Sequence, residues 1–354
     1  MQNIAPFLKH LISLPGLSGY ETPVMEAIAE RWRPVVDELT TSKIGSLHGL
    51  KRATSGKPAG SILLAAHMDA IGLMVSGFSE GLLRVTHVGG IDPRILPGQM
   101  VRVHGKRDLP GIATLQNDRL LNNNHKKLAP DLKRVFIDTG LSESEIKELV
   151  RVGDLVSFAN PPVEMDGGYI CGHSLDNRAS VAALTLCLEE LQTKSFDWDV
   201  WAVATVQEEV TLAGALTSAY QIHPNLAIAI DVTFGRGPGA GDYRSFHLGK
   251  GITIAVGSNV HPYLQKQLKA LADEIKVPHA TEVLPESTGT DAIALQIVRE
   301  GIPCEVIGIP LRYMHTPVEV VALADIEYAG RLLAKFVTSL DENTMDSLRK
   351  EMLA

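Results

Sequence analysis

Four short, nearly uninterrupted apolar runs constrain this chain more than anything else in it: "DVWAVATV" (199–206), "NLAIAIDV" (225–232), "GITIAV" (251–256) and "PCEVIGIP" (303–310). Runs of that length, rich in Val, Ile and Ala, read as strands buried on both faces. Between and around them lie longer segments with helical spacing, at 175–192, 263–275, 291–300 and 318–340. Buried strands alternating with helices predict a mostly parallel sheet covered by helices on both sides. "SILLAAHMDAIGLMV" (61–75) predicts an earlier strand of the same sheet. The opening "MQNIAPFLKHLISLPG" reads as a short amphipathic helix, with Phe7, Leu8, Leu11 and Ile12 on one side.

Residues 76–165 break that rhythm. They are rich in Gly and Pro and carry short β-like runs such as "LLRVTHVGG", "GQMVRVHG", "RVFIDTG" and "DLVSFAN". One helix is signalled by "SESEIKEL", where Ser142 and Glu145 have capping-box spacing. The expected fold is α/β: a three-layer α/β/α catalytic domain with a mixed, mostly parallel sheet, built from 1–75 and 166–354. A β-rich, barrel-like domain over 76–165 interrupts it.

Composition narrows the function classes. A formal net charge of −8, with no dense Lys/Arg tract to offset it, argues against a nucleic-acid partner. The most basic stretch, "HKKLAPDLKR" (125–134), reads as a solvated loop. No apolar run has the length to span a bilayer, and no basic-then-apolar leader opens the chain. Cys171, Cys187 and Cys304 are odd in number and scattered, so no disulfide framework is implied. The expectation is a cytoplasmic protein with no membrane partner.

Chemistry is concentrated at predicted strand ends. Glu208 and Glu209 stand side by side in "VQEEV", where an apolar strand runs out. Adjacent carboxylates at the edge of a core repel unless something compensates them. A solvated strand end would suffice; so would a metal on one carboxylate and a proton on the other. His67 and Asp69 lie two apart after the strand at 61, on one side of an extended chain, so that Asp69 could orient the imidazole. Asp176 opens the helix at 175, where an N-cap is the ordinary role. Asp231 ends a strand and His315 follows another. Each alone has an unremarkable structural explanation. Together they fall where open α/β sheets bind ligands, outside the C-terminal ends of the strands. Two histidines and three carboxylates suffice for two divalent ions if one carboxylate bridges, and Zn, Co or Mn suits such a donor set. The remaining glutamate is then the natural general base.

The ordered motifs "HMDAIG", "LDNRAS", "QEEVTLAGA", "IDVT" and "MHTPVEV" resemble the M42 family of dinuclear-metal aminopeptidases, the tetrahedral and glutamyl aminopeptidases, some of whose members are labelled endoglucanases. "LPGLSGYE" and "GGIDPRILPGQMVRVHG" extend the resemblance along nearly the whole chain. It implies a metal-dependent exopeptidase that removes N-terminal residues from peptides through a metal-bound water activated by Glu208. His67, Asp176 and Asp231 would hold one ion; Asp176, Glu209 and His315 the other, with Asp176 bridging and Asp69 orienting His67. Asp291, in "STGTDAIA", would lie on the substrate side, although Thr290 or Asp291 could simply cap the following helix. The resemblance further implies a homo-oligomer, dimer-based and extending to a dodecamer, assembled through the inserted domain.

An M20-like peptidase or deacylase is the main alternative, but in that pattern the extra domain interrupts the chain later. Here the wide gap runs from Asp69 to Asp176. A glycosidase would leave the histidines unexplained, and 5% aromatic residues give little sign of a sugar-stacking groove. The chain departs from the family pattern at Ala70, at His173, at Asn177 and in the Asn-rich "QNDRLLNNNHKKLAP" (116–130). Neither Ala70 nor Asn177 is a metal-ligand position in that pattern.

Overall fold

The computed structural model describes residues 3–115, 131–241 and 243–352. The chain opens with α1 (Ala5–Ser13), α2 (Thr22–Trp32), β1 (Glu38–Thr41), β2 (Leu47–Lys51) and β3 (Gly60–His67). Next come β4 (Gly72–Ser79), β5 (Leu82–Val88), β6 (Met100–His104), β7 (Asp108–Leu115), β8 (Val135–Asp138), α3 (Glu143–Leu149) and β9 (Leu155–Phe158). The strands β10 (Val163–Met165) and β11 (Tyr169–Gly172) precede α4 (Leu175–Leu191), β12 (Trp198–Thr205), α5 (Glu208–Thr211), α6 (Ala213–Ile222) and β13 (Leu226–Phe234). The chain closes with β14 (Ile252–Gly257), α7 (Pro262–Glu274), β15 (His279–Leu284), α8 (Asp291–Gln296), β16 (Cys304–Arg312), β17 (Glu319–Ala322), α9 (Leu323–Ser339) and α10 (Thr344–Met352).

Eleven strands form one mixed sheet in the order β1-β2-β12-β3-β13-β16-β17-β11-β10, with β14 joined to β16 and β15 to β14. Its centre, β12-β3-β13-β16, is parallel throughout. Side-chain alternation divides the sheet's two faces cleanly. Ile62, Leu64, Val200, Ala202, Ile228 and Ile230 pack with α1, α2, α4 and α9 on one side. Leu63, Ala65, Val203, Ala227 and Ala229 pack with Ala215 and Ala219 of α6 and Ala292 and Leu295 of α8 on the other. Strands covered on both faces show no hydrophobic–polar alternation, which is why they stand out in the sequence as continuous runs.

The other six strands close into a barrel, β4-β5-β8-β7-β6-β9, antiparallel at every pairing. Leu83 and Val85 of β5 and Val101 and Val103 of β6 point inward, while Arg84, Thr86 and Arg102 point out. The capping box at Ser142 and Glu145 is formed, with both reciprocal bonds present. The barrel strands begin at Gly72, ahead of the expected boundary at 76, and β10 pairs into the large sheet through β11.

Two expected elements are each split in the structure. The run at 61–75 supplies β3 to the sheet and then β4 to the barrel, because the chain turns at 68–71, where Ala70 N–H donates to the Gly16 carbonyl. Gly72 begins the new direction against Leu17, and a Cβ there would lie 2.3 Å from the Leu17 side chain. The segment expected to be helical from 318 first forms β17, whose four residues are all buried, and turns helical only at Leu323. The paired valines there favour a strand. The helix expected over 291–300 ends at Gln296.

Candidate metal centre

The parallel strands bring their C-terminal ends to one edge of the sheet, and the polar residues gather there. His67 ends β3 opposite Thr205 of β12. Glu208 and Glu209 open α5 just beyond β12, after Gln207 in the left-handed region at φ 58°. Asp231 sits within β13, opposite Gly308 of β16. His315 lies between β16 and β17. Asp176 stands ahead of the regular turns of α4, with an extended backbone (φ −77°, ψ 103°) and a cis peptide to Asn177. Its carboxylate points into the cluster instead of capping the helix.

Asp176 is central. Its Oδ1 is 3.2 Å from His67 Nε2, and its Oδ2 is 3.4 Å from His315 Nε2. On the His67 side, Asp231 Oδ1 lies 3.7 Å and Glu208 Oε2 3.8 Å from the same nitrogen. On the His315 side, Glu209 Oε2 lies 3.3 Å away. Behind the cluster, Asp69 Oδ1 is 3.4 Å from His67 Nδ1, a contact longer than an ordinary N–H···O bond. The Asp69 carboxylate also accepts the Ser18 hydroxyl at 2.6 Å and the backbone N–H groups of Glu208 (3.0 Å) and Glu209 (3.2 Å). One buried carboxylate thus lies behind the first histidine and is bonded to the backbone of both glutamates.

Electrostatics set these groups apart. Burial opposes charging of His67, but Glu208, Asp176, Asp69 and Asp231 together outweigh it and hold the ring well above its ordinary value. Hydrogen bonds to Asp176 and Glu209 push His315 up to about 11. Burial pushes Glu208 up to about 10, with Asp231, Asp291 and Glu209 adding repulsion against the lowering effect of His67. Burial and the negative charge of Asp176 likewise raise Asp231 and Glu209. Two imidazoles cannot neutralise four converging carboxylates. The donor set of imidazole nitrogens and carboxylate oxygens fits divalent cations, which would reverse this logic and favour ionised carboxylates beside neutral histidines.

The remaining residues fall outside the cluster. Asp291 is buried at the start of α8, where Thr290 supplies the cap and the Thr205 hydroxyl donates to Asp291 Oδ2 at 2.5 Å. Burial raises Asp291 to about 6. It lies behind the cleft, whose lining includes Thr290 instead. His173 packs edge-on against Phe158 of the barrel (4.8 Å, 73°), and its Nε2 is 3.1 Å from the Ile71 carbonyl. Burial lowers it to about 4, so it is a neutral packing residue. The loop at 116–130 lies outside the described residues.

Two supporting residues were not singled out in the sequence. Glu319, 1% exposed in β17, accepts the N–H of Asp176 (3.2 Å) on one oxygen and that of His315 (3.0 Å) on the other. Its signal was a lone acid inside the apolar run "VEVVAL". Arg178, fully buried in α4, donates to the carbonyls of Leu11, Leu14, Gly16 and Met68. It anchors the α1 loop beneath the turn that carries Asp69. The available clue was that Arg178 is the one basic residue of that helix.

The profile of the M42 glutamyl aminopeptidase family matches residues 45–332. This chain belongs to the M42 family. It is an aminopeptidase, a metal-dependent hydrolase, and the M20-like alternative falls away. The lysyl aminopeptidase of Pyrococcus furiosus is 31% identical over 94% of this chain and 96% of its own length. Among solved structures, an aminopeptidase from Desulfurococcus kamchatkensis superposes with a TM-score of 0.90 at 35% identity, covering 98% of this chain and 97% of that one. The TET1 peptidase of Pyrococcus horikoshii reaches 0.83 at 30% identity, over 96% of this chain and all of that one. The M42 assignment extends across both the sheet and the barrel. Among the described residues, no helix is long and apolar enough to cross a membrane.

Proposed function

We propose that this M42 aminopeptidase hydrolyses N-terminal residues from peptides at a dinuclear centre, with Zn or Co as the ions and Mn an accepted substitute. His67, Asp176 and Asp231 would hold one ion, and Asp176, Glu209 and His315 the other. The observation that carries this reading is Asp176, whose two oxygens face two different histidines at 3.2 and 3.4 Å. When bound, the ions polarise the scissile carbonyl and acidify water.

The chain's own residues do the rest. Glu208 Oε2, beside His67 and bound to no ligand partner in this scheme, takes a proton from the attacking water and delivers it to the leaving amine. Asp69 holds the His67 ring and, through the backbone N–H groups of Glu208 and Glu209, fixes the position of both glutamates. Glu319 keeps Asp176 and His315 in register across the cluster. Buried strand ends exclude bulk water, which strengthens each of these interactions.

The TET1 peptidase of P. horikoshii assembles into a tetrahedron or a large octahedral shell, which supports a dimer-based homo-oligomer for this chain, up to a dodecamer. The barrel is the candidate assembly unit, and peptides are the substrates that enter. Three free cysteines suit a cytoplasmic setting.

The test is Glu208→Gln. Turnover of aminoacyl-p-nitroanilides should fall about 10³-fold while the metal content stays at the wild-type level. Wild-type turnover in that variant would remove Glu208 from the mechanism.

A further inference from the structure

One buried carboxylate in the same cleft takes no part in the mechanism. Glu282, 9% exposed on β15, faces the cavity shared with His67, Glu208 and Asp231. The Thr233 hydroxyl of β13 donates to its Oε1 at 2.5 Å, and the Thr253 hydroxyl of β14 to its Oε2 at 2.6 Å. The arrangement depends on a gap in the neighbouring strand. Gly308 of β16 lies opposite both Asp231 and Thr253, and a Cβ there would fall 2.2 Å from Thr253 Oγ1 and 3.0 Å from Glu282 Oε2. Three strands thus hold one carboxylate over a glycine.

No basic side chain among the described residues pairs with Glu282; its partners are the two hydroxyls alone. A carboxylate has about four acceptor positions, so each oxygen keeps capacity for another donor. Leaving a buried carboxylate without a cation is costly, and a ligand that supplies one recovers that cost on binding. The position fits a side chain. Thr233, which bonds Glu282, is two residues beyond Asp231 on the same face of β13, about 6.5 Å along the strand. That is too far for the substrate's α-amino group, which sits beside the carbonyl under attack. It suits the end of a flexible four-carbon stem. Leu284, Phe234 and Met314 supply apolar walls for that stem.

The geometry points to Glu282 as the residue that selects a basic side chain, lysyl or arginyl, at the substrate's N-terminal position. This rests on the dinuclear site being where hydrolysis occurs. The decisive pair of probes is lysine against norleucine, which lacks the terminal ammonium at nearly the same stem length. With the metal-loaded full chain, calorimetry should find L-lysinamide bound about 10- to 100-fold tighter than L-norleucinamide. Lysyl-p-nitroanilide should lead norleucyl-p-nitroanilide in kcat/KM by a similar factor. Glu282→Gln should erase both preferences, bringing the lysyl-to-norleucyl ratio to about one. Equal binding of the two amides by the wild type would overturn the proposal, as would a uniform loss on both substrates in the variant. Should Glu282→Gln fail to fold, the wild-type ratio decides alone. Absence of hydrolysis with the lysinamide preference intact would sink the mechanism but keep Glu282 as the selector.

Discussion

The barrel and the large sheet bury very different things. Among the described residues from Gly72 to Phe158, Ser157 is the one buried polar side chain; the interior is Leu73, Val75, Leu83, Val103, Ile137 and their neighbours. The sheet and its helices bury His67, Asp69, Asp176, Arg178, Asp231, Glu282, Asp291, Glu305, Glu319 and Asp325. In the barrel, pattern and packing agree, and each inward position is apolar. In the sheet, packing is compromised wherever chemistry needs charge. Acidic groups are held there against burial, so the unloaded site works against the stability of the elements that carry it.

Asp231→Asn breaks that comparison most severely. Removing this proposed ligand should cut activity by about 10³-fold or more and lower the bound metal, read by elemental analysis. The same substitution should raise the melting temperature of the metal-free protein. Asp231 is raised by burial and by Asp176, so its ionisation at neutral pH opposes folding, and asparagine removes that opposition. A metal-free variant that melts lower than the metal-free wild type would mean that the cluster carries no stored repulsion.

How much of this was legible depended on whether one principle or two acted on a residue. The central strands were legible because burial on both faces leaves a continuous apolar run. Asp231, His67 and the glutamate pair were legible because they end or interrupt such runs. Asp176 was only half legible: an Asp before a helix predicts a cap, while the structure gives it an extended backbone that aims it at two histidines. The β17 strand was hidden because "VEVVALADIEYAGRLL" satisfies a helical pattern from end to end, and only its pairing with β11 and β16 separates Glu319–Ala322 from α9. Glu282 was invisible for a different reason. Its strand, "HATEVL", alternates like any edge strand, and nothing local says that Thr233 and Thr253 will meet it.

On the barrel side the expected effect is on stability alone. Ile137→Ala, at a fully buried position of β8, should cost about 2–5 kcal/mol through lost transfer energy and a residual cavity. The denaturation midpoint measures it. Metal content per folded chain should be unchanged, since among the described residues no barrel side chain is ion-paired with the cluster. A fall in metal content without a fall in stability would mean that the two regions are coupled more tightly than their separate cores imply.

The smallest effect tests whether the sheet's tolerance of buried charge extends beyond its site. Glu305 lies fully buried in β16, with the Val306 N–H as its one hydrogen-bond donor among the described residues, and burial pushes it up to about 8 from an ordinary 4.5. Between those values the folded protein keeps a proton that the unfolded chain has lost. Stability should therefore fall as pH rises from 4.5 to 8, and stay level on either side. Glu305→Gln removes the titration. At pH 4.5 the variant should melt with the wild type, and at pH 8 it should melt a few degrees higher. A constant difference at both pH values would assign the effect to packing. A gain confined to pH 8 would show that this sheet carries an ionisable cost away from its candidate metal centre, which the barrel, lacking any buried acid among its described residues, does not.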